Sequence, residues 1–461
     1  MKNYINKIIC GDSQKILKQI PDNSIDLIVT DPPYGISFMG KDWDKALSSI
    51  EIWRECLRVL KPGAFALVMC IPRSDCQARQ IIALEETGFN VSFPPIYHTF
   101  ASGFPKAQNI SKVVDKKECK KKLTEKLGRK PSKDEFEKEW EKFRKIVGQR
   151  KMFGTARKIK GGQRIGASKT SAGTNIEFEE STIINETIPT TSQAKALDGA
   201  YAGFQPKPSL EVILVCMKSL SEKTFVGQAL KNQKGITWLD DCRIPYKSDY
   251  DKKHQSDIQK GQINADRGKF FGGEGQSLSS GNLQGRFPAN LLCSDDVLND
   301  GKEYGLHYND SGSFSRYFSL DKWWEEKVKQ LPERVRRTFP FLIVPKANKA
   351  EKNKGLEEFE NKDIEIQKEI LKKSSKFSRI RNLKIEVKKN IHPTVKPIKL
   401  MCYLIILGSR EGDIILDPFV GSGTTCISAK MFNRNFIGIE KSKEYCKIAE
   451  ARIKAIEPRL F

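Results

Sequence analysis

Short apolar runs alternate with amphipathic stretches through the first hundred residues. Short runs bounded by Asp, Pro or Gly are typical of buried strands, whereas apolar residues recurring every three or four positions indicate helices. The predicted strands are 6–10, 25–30, 64–70 and 91–99. The predicted helices between them are 13–20, 50–60 and 76–87. Strands that alternate with helices predict a parallel α/β sheet.

The same alternation returns further along the chain. The apolar run at 210–217 is assigned to the same sheet, and 339–344 predicts another strand. The last part of the chain is compact α/β again. Its predicted strands are 412–416 and 435–439, and its predicted helices are 398–407 and 426–432.

Two stretches interrupt this pattern. The first, 106–160, has 20 basic and 8 acidic residues and one helical segment at 135–143, which predicts a basic helical insertion with a small core. It is followed by 161–194, rich in Gly, Ser, Thr and Asn, which favours a flexible surface segment. The second, 348–390, is charged and poor in apolar residues, and we expect it to be exposed.

Composition narrows the class of protein. The formal net charge of +23 favours a polyanionic partner, and nucleic acid is the first candidate. The eleven cysteines include no Cys-x-x-Cys pair and the four histidines are dispersed, so neither a disulfide framework nor a metal site is predicted. With no signal-peptide run or membrane-spanning run, we expect a soluble cytoplasmic protein without a membrane partner.

A proline turn, Asp31-Pro32-Pro33-Tyr34, follows the predicted strand at 25–30. The prolines remove backbone donors and fix φ, so Asp31 and Tyr34 project from a stiff turn. Ligands of open α/β sheets bind beyond the carboxyl ends of strands, where this turn lies. A carboxylate, a rigid carbonyl and an aromatic face suit a flat ring that bears an amino group. The alternative is a turn that only ends the strand.

A glycine turn, Asp417-Pro-Phe-Val-Gly-Ser-Gly-Thr-Thr, follows the strand at 412–416. Such a turn lets a ligand approach the backbone at the positive end of a helix. Glu440 ends the next strand, where it can bind ribose hydroxyls, so an adenosine-bearing cofactor is predicted. Cys426 stands where a dinucleotide fingerprint has its third glycine, which favours S-adenosylmethionine. Asp417 either faces the methionine part of that cofactor or caps the turn.

Three motifs in this order resemble the amino-group DNA methyltransferases of the β arrangement: Asp31-Pro-Pro-Tyr, His392-Pro-Thr-Val-Lys-Pro and Asp417-Pro-Phe-Val-Gly-Ser-Gly-Thr-Thr. In that family the catalytic motif is N-terminal, target recognition is central and the S-adenosylmethionine motif is near the C-terminus. The resemblance covers approximately 4–105, 205–217 and 391–455. It implies an α/β, Rossmann-like methyltransferase fold with an inserted DNA-recognition region.

The resemblance implies a circularly permuted central sheet, in which the first two strands of the cofactor half come from the C-terminus and the next two from the N-terminus. The chain divides into six parts, two of which, the insertion and the charged segment, lie outside the resemblance. These are 1–105 for the catalytic half, 106–204 for the insertion, 205–235 for a return strand, 236–345 for target recognition, 346–390 for a charged exposed segment and 391–461 for the cofactor-binding half.

Site residues are implied by the same resemblance. The implied catalytic residues are Asp31, Pro32, Pro33 and Tyr34. The implied cofactor-binding residues are Asp12, Thr394, Lys396, Asp417, Phe419, Gly421, Gly423, Thr424 and Glu440. Asp12 is expected to bind the adenine amino group, and Thr394 and Lys396 to line the methionine side, while His392-Pro also serves as the turn before a helix.

The implied activity is methyl transfer from S-adenosylmethionine to the N6 amino group of adenine in double-stranded DNA, by direct in-line attack of a flipped base. Asp at the first motif position resembles the N6-adenine enzymes, and an N4-cytosine or RNA enzyme is the alternative. A catalytically inactive DNA-binding protein and a dinucleotide oxidoreductase stay open as other classes. The stretch 285–290 either reads base edges or forms a structural loop. A homodimer and a separate restriction endonuclease are open partners.

Overall fold

The structure is a computed structural model that describes residues 1–36, 44, 46–100, 107–152, 157–159, 176–178, 182–204, 209–246, 285–294, 298, 314–338, 349–356, 390, 392 and 394–456. The chain divides into two compact units. Unit one comprises Met1–Ala101 and Ser209–Phe461, and unit two comprises Ser102–Pro208.

The strands and helices of the described residues are numbered here in chain order. The strands are β1 (Lys7–Cys10), β2 (Ile25–Thr30), β3 (Leu60–Cys70), β4 (Ile96–Thr99), β5 (Lys145–Met152), β6 (Arg157–Ile159), β7 (Ile176–Phe178), β8 (Thr182–Ile188), β9 (Leu210–Met217), β10 (Leu291–Cys293), β11 (Ile414–Asp417) and β12 (Asn435–Glu440). The helices are α1 (Ser13–Leu17), α2 (Ile50–Val59), α3 (Ser74–Glu86), α4 (Ile110–Leu127), α5 (Lys133–Phe143), α6 (Ser192–Ala196), α7 (Phe225–Asn232), α8 (Leu320–Lys329), α9 (Glu333–Thr338), α10 (Lys349–Asn353), α11 (Ile398–Gly408), α12 (Thr424–Met431) and α13 (Lys443–Lys454). Short 3₁₀ helices occupy Leu239–Cys242 and Phe314–Tyr317.

Unit one is organised on one sheet, which in the described residues has the order β1-β12-β11-β2-β3-β9-β4-β10. The C-terminal strands β11 and β12 lie between β1 and β2 from the N-terminus, so the predicted permutation is confirmed. Only β9 runs antiparallel to its neighbours β3 and β4 within this sheet as described. The first residues of β9 therefore lie at the edge where the parallel strands end.

Helices cover both faces of this sheet, which is why its strands are continuous apolar runs. On one face lies α11, whose residues are all buried, together with Trp323 and Trp324 of α8. The other face is covered by α1, α2 and α3, with Trp53 of α2 fully buried. The sheet is thus the centre of an α/β core, and its carboxyl edge is held in place by packing on both sides.

Two sequence predictions for unit one differ from the structure, and a third lies outside the described residues. The strand predicted at 91–99 is reduced to β4 because Pro94 and Pro95 cannot donate to a ladder. The exposure expected for 348–390 is wrong in the described part, where Glu351 and Leu356 are buried. Glu351 accepts a hydrogen bond from the Ile398 backbone N–H at 2.9 Å, which draws this segment onto α11. The strand predicted at 339–344 lies outside the described residues.

Unit two contains α4 to α6 and the two antiparallel pairs β5–β8 and β6–β7. A stripe at four-residue spacing is buried along α4, and it includes Asp115, whose carboxylate accepts the backbone N–H groups of Thr190 and Thr191 at 2.8 and 3.0 Å. The predicted helix α5 is present, but none of its residues is fully buried. The strands were not predicted: β7 and β8 lie in the polar stretch 161–194, and β5 and β6 lie in the basic stretch 106–160, which was assigned to a helical insertion.

Within the described residues, no helix combines the length and the apolar character that crossing a membrane would need.

Candidate active site

The two ends of the chain meet at the carboxyl edge of the sheet in unit one. The strands β2 and β11 pair in parallel, with Leu27 opposite Ile415 and Ile28 opposite Leu416. At the ends of these strands, the Thr30 hydroxyl donates a hydrogen bond to the Asp417 carboxylate at 2.6 Å. The proline turn that follows β2 is therefore adjacent to the glycine turn that follows β11.

A cluster of four charged or titratable side chains lies at the proline turn. The Tyr34 hydroxyl donates a short hydrogen bond to Asp31 Oδ1. Lys396 Nζ lies 3.3 Å from the Tyr34 hydroxyl, 3.4 Å from Asp31 Oδ2 and 3.2 Å from Glu211 Oε1. We call Asp31, Tyr34, Glu211 and Lys396 the Asp31 cluster.

Burial and charge act against each other in the Asp31 cluster. Burial raises the pKa of the Asp31 carboxyl above its ordinary value, although the Lys396 ammonium opposes the rise. Burial also raises the pKa of Tyr34 well above its ordinary value, and the Asp31 carboxylate adds to the rise. Burial alone would lower the pKa of Lys396, but Asp31 and Glu211 outweigh it and raise that pKa well above its ordinary value. The ammonium is therefore the permanent charge of the cluster.

The backbone of the proline turn is anchored from both sides. The buried carboxylate of Asp44 accepts the backbone N–H groups of Tyr34 and Gly35 at 2.7 and 3.0 Å. Pro32 is buried, and among the described residues no donor is hydrogen-bonded to its carbonyl. The Asp31 carboxylate and the Pro32 carbonyl thus lie one residue apart on a rigid turn, as two acceptors.

The Asp417 carboxylate is buried and hydrogen-bonded to neighbouring residues of the protein. Its side chain is 3% exposed and accepts hydrogen bonds from the Thr30 and Thr425 hydroxyls, each at 2.6 Å, and from the Phe419 backbone N–H at 3.0 Å. Burial raises the pKa of its carboxyl to about 6, despite the two hydroxyl donors. These contacts match the turn-capping alternative, and direct cofactor contact by Asp417 stays a prediction.

The glycine turn places its backbone beside Glu440. Gly421 and Gly423 have φ angles of +52° and +87°, in the left-handed region that favours glycine. The Gly421 N–H donates to Glu440 Oε2 at 3.0 Å, and Ser442 N–H donates to Oε1 at 2.7 Å. Each carboxylate oxygen keeps a further acceptor position. Because β1 pairs with β12, Asp12 follows the neighbouring strand end, and its carboxylate caps α1 through Gln14 N–H at 2.9 Å.

The His392 motif contacts both turns, because His392 lies behind the glycine turn and Lys396 lies beside Asp31. The His392 ring packs edge-on against Tyr445, with ring centroids 4.6 Å apart, and burial lowers the pKa of this ring to about 4. A Cβ on Gly421 would lie 2.7 Å from His392 Nε2, so the histidine backs the glycine turn. Thr394 makes a backbone hydrogen bond with His392. Lys396, expected on the methionine side, lies in the Asp31 cluster, and its contact with the cofactor stays a prediction.

Two further predicted residues have partners within unit one. The Phe419 ring lies 6.1 Å from Trp53, and Phe419 is only partly buried. Thr424 is buried, and its hydroxyl accepts a hydrogen bond from Arg452 at 3.4 Å. Arg452 is fully buried and also donates to the Ser422 carbonyl at 2.6 Å, so it fixes the glycine turn from behind.

Sequence reasoning missed several residues of this site. Glu211 had a signal, since it is the one charge in the apolar strand β9. Thr30 and Arg452 had none, because a strand-ending threonine and a helical arginine are ordinary in sequence. Asp44 lies in a loop whose carboxylate is recognised only from its contacts.

The stretch 285–290 lies at the β10 side of the sheet and not at the carboxyl ends of β2 and β11. It precedes β10, which is parallel to β4, and the Asn290 amide donates to the Pro95 carbonyl at 3.1 Å. The Arg286 guanidinium lies 5.0 Å from the Tyr246 ring and 4.7 Å from the Tyr317 ring. These contacts match the structural-loop alternative and place the stretch away from Asp31.

Comparison with known proteins gives the family. A family model described as a DNA methylase matches residues 25–451, which spans both halves of the permuted sheet. The chain belongs to this DNA methylase family. The expected family is therefore confirmed, together with the predicted α/β fold class that the sheet order shows.

Two type II methyltransferases are similar to parts of this DNA methylase. M2.DpnII of Streptococcus pneumoniae is 53% identical over 72 residues, which are 16% of this chain and 27% of that protein. M.HinfI of Haemophilus influenzae is 43% identical over 76 residues, which are 16% of this chain and 21% of that protein. The chain thus matches about a quarter of the length of these relatives.

Solved structures were compared as well. The crystal structure of the M1.HpyAVI–SAM complex is 13% identical in sequence to this chain. The match covers 97% of this chain and 98% of the M1.HpyAVI chain, with a TM-score of 0.33. The PvuII DNA methyltransferase, described as cytosine-N4-specific, is 13% identical in sequence to this chain. The match covers 96% of this chain and 85% of the PvuII chain, with a TM-score of 0.37. The fold assignment therefore depends on the sheet order and the family model.

Among the described residues, no group of three or more His, Cys, Asp or Glu side chains is arranged to hold a metal ion.

Proposed function

We propose that this DNA methylase transfers a methyl group from S-adenosylmethionine to the exocyclic amino group of a base in double-stranded DNA, with N6 of adenine as the preferred acceptor. The observation that supports the proposal is the adjacency of the Asp31 turn and the glycine turn at one edge of the sheet, joined by the Thr30–Asp417 hydrogen bond. One turn offers acceptors for an amine, and the other suits an adenosine-bearing cofactor.

The donor set at the glycine turn fits S-adenosylmethionine. Asp12 and Glu440 are carboxylates at neighbouring strand ends, where they suit an adenine amino group and the ribose hydroxyls. The left-handed glycines keep the turn free of Cβ atoms, which allows close approach to its backbone. Phe419, Thr394 and Thr424 complete the residues that would hold the cofactor. When bound, the cofactor supplies an electrophilic methyl group on a sulfonium.

The Asp31 turn would activate the base amine. An exocyclic amino nitrogen is a poor nucleophile because its lone pair is conjugated with the ring. Two N–H groups that donate to the Asp31 carboxylate and the Pro32 carbonyl favour a pyramidal nitrogen with a localised lone pair. Positioning and charge complementarity then supply most of the acceleration. In the structure Tyr34 already donates to Asp31, so the incoming amine must replace that hydrogen bond.

Proton transfer completes the reaction at Asp31. The nitrogen becomes acidic once it has gained the methyl group, and one of its protons passes to the Asp31 carboxylate. Burial raises the pKa of that carboxyl, which favours its role as acceptor. The Tyr34 ring, freed from its hydrogen bond, offers a face on which a flipped base can stack. No covalent intermediate with the protein is required.

Adenine is favoured over cytosine by the first residue of the motif. Asp31 resembles the N6-adenine enzymes, whereas N4-cytosine enzymes more often have Ser at this position. The cluster offers no hydroxyl in the place of that carboxylate, which supports the adenine assignment. N4 of cytosine stays the second candidate because both amines present two N–H groups to the same acceptors.

Contacts to the DNA backbone are assigned to basic side chains. In unit two the lysines of α4 are all exposed: Lys112, Lys116, Lys117, Lys120, Lys121, Lys122 and Lys126. Such side chains bind phosphates without reading sequence, and they make binding strongly dependent on salt. They support a polyanionic partner for this unit.

The test is tritiated methyl transfer to unmethylated genomic DNA, followed by chromatography of the nucleosides. We expect label in N6-methyl-2′-deoxyadenosine, and label in N4-methyl-2′-deoxycytidine would assign the second candidate. Asp31→Ala should reduce the rate by at least about 100-fold, since a positioned acceptor typically contributes that much. Asp240→Ala, which removes an exposed carboxylate, is the control. Undiminished transfer by Asp31→Ala, or no transfer by the intact chain, would contradict the proposal.

A further inference from the structure

The Asp31 cluster contains one more carboxylate than the methyl-transfer reaction uses. Asp31 and Glu211 share the single ammonium of Lys396, whose side chain is only 12% exposed. Glu211 comes from β9, the antiparallel strand, and is opposite His98 of β4 in the sheet. It lies in neither the proline turn nor the glycine turn, so its presence beside the reaction site needs its own explanation.

Lys396 is closer to Glu211 than to Asp31. Its Nζ is 3.2 Å from Glu211 Oε1, within hydrogen-bond distance, and 3.4 Å from Asp31 Oδ2. The reaction requires Asp31 to accept an N–H of the base amine, and its two oxygens now face Tyr34 and Lys396. A lysine with no other anion would hold Asp31 in the ion pair, since a buried ammonium cannot be left uncompensated.

We propose that Glu211 is a positioning residue, which retains the Lys396 ammonium when Asp31 turns from its ion pair to the base amine. The proposal rests on the proposed function and extends it to residues outside the family motifs. Glu211 acts through Lys396 and does not touch the substrate. It keeps the lysine near enough to orient Asp31, and it keeps the lysine from competing with the amine for the same oxygens.

The same arrangement sets the charge balance at Asp31. The titratable groups that face Asp31 are Lys396, Tyr34, Glu211, Asp417 at the end of β11 and Cys70 at the end of β3. Among these, Lys396 lowers the pKa of the Asp31 carboxyl and Glu211 raises it. Removal of either charge therefore displaces this pKa, and the two displacements have opposite signs.

The experiment measures single-turnover methyl transfer to genomic DNA between about pH 5 and pH 9. The rate should fall on the acid side as Asp31 is protonated. In Glu211→Gln this acid limb should move to lower pH, and in Lys396→Met to higher pH, each by about one pH unit, as for charges at this distance. The plateau rate of Glu211→Gln should also fall, because Lys396 then pairs with Asp31 alone.

Two further variants separate this role from general damage. Glu222→Gln removes a carboxylate that pairs with Lys231 at 2.6 Å on the surface, and it should leave the profile unchanged. The double variant Glu211→Gln/Lys396→Met should return the acid limb towards that of the intact chain. A purely structural role would lower the plateaus without opposite displacement of the limbs, and that result would overturn the inference while the proposed function stands. Absence of transfer by the intact chain would overturn both.

Discussion

Asp417 offers the sharpest test of how the two ends of the chain are held together. Its carboxylate is fully buried and accepts three hydrogen bonds, yet burial dominates and raises its pKa from 3.8 to about 6. A carboxyl with a raised pKa in the folded state stabilises the protein below pH 3.8, and this contribution is lost as the pH rises through 6. The full loss corresponds to about 3 kcal/mol.

Asp417→Asn isolates this effect, because the amide has the shape of the carboxyl but does not ionise. We expect the free energy of unfolding of the intact chain, relative to Asp417→Asn, to fall by about 1.4 kcal/mol between pH 5 and pH 7.5, which is the part of the loss in that window. A constant offset between the two proteins does not matter, since the prediction concerns only the change with pH.

Urea denaturation followed by tryptophan fluorescence measures the difference at each pH. Asp240→Asn, which removes a charge from a side chain that is 70% exposed, is the matched control. A difference between the intact chain and Asp417→Asn that is independent of pH would refute the reasoning. It would mean that the Thr30 and Thr425 hydroxyls stabilise the carboxylate enough to cancel the effect of burial.

Two other substitutions test the buried ion pairs of Lys234 and the glycine turn at Gly421. Lys234→Met removes the buried ammonium that lies 2.9 Å from both Asp26 and Asp413. It should lower the free energy of unfolding by about 2 kcal/mol, measured in urea, because the buried Asp26 carboxylate then keeps only the Lys61 ammonium and the partly buried Asp413 loses its charged donor. Gly421→Ala places a Cβ 2.7 Å from His392 Nε2 at a φ of +52°, and it should weaken S-adenosylmethionine binding about tenfold in calorimetry.

Each of these substitutions has a control of the same type. Lys231→Met removes an exposed ammonium that pairs with Glu222, and it should change the unfolding free energy by less than about 1 kcal/mol. Gly412→Ala has a φ of +84° but no atom within 4 Å of the added Cβ, so it carries backbone strain without a collision. If Lys234→Met were as mild as Lys231→Met, or if Gly421→Ala bound the cofactor like Gly412→Ala, the corresponding reasoning would be wrong.

The sequence predicted those parts of the site that are local in the chain. Strand β2 and the turn at Asp31 are visible because an apolar run ends at two prolines, and the glycine turn is visible because it follows another such run. The signals for the two turns each lie within about ten consecutive residues, the length of an element and its turn. The circular permutation was implied by the order of the three motifs along the chain.

What the sequence could not predict are contacts between distant residues. Lys396 was expected beside the cofactor, and only its distances to Asp31 and Glu211 place it in the Asp31 cluster. The partner of Asp417 could not be predicted either, because nothing in the sequence near Thr30 marks its hydroxyl as a donor. A buried polar group must find a partner, but composition does not say which one.

The proposed reaction requires the pairing of β2 with β11, because this pairing brings the proline turn beside the glycine turn. The paired segment is short. Two residue pairs define the register, and buried polar contacts fix it at each edge of the sheet. At the amino edge Asp26 accepts the Ile414 N–H at 3.0 Å, and at the carboxyl edge Thr30 donates to Asp417 at 2.6 Å.

A slip of one residue would break both of these contacts and turn every side chain of β2 to the opposite face. The apolar residues of this strand are buried on both faces, so hydrophobic pattern alone specifies its register weakly. The polar contacts at the two edges therefore supply the specificity that the apolar residues lack. In a permuted chain, whose two halves are joined by long intervening segments, these contacts hold the proline turn beside the glycine turn.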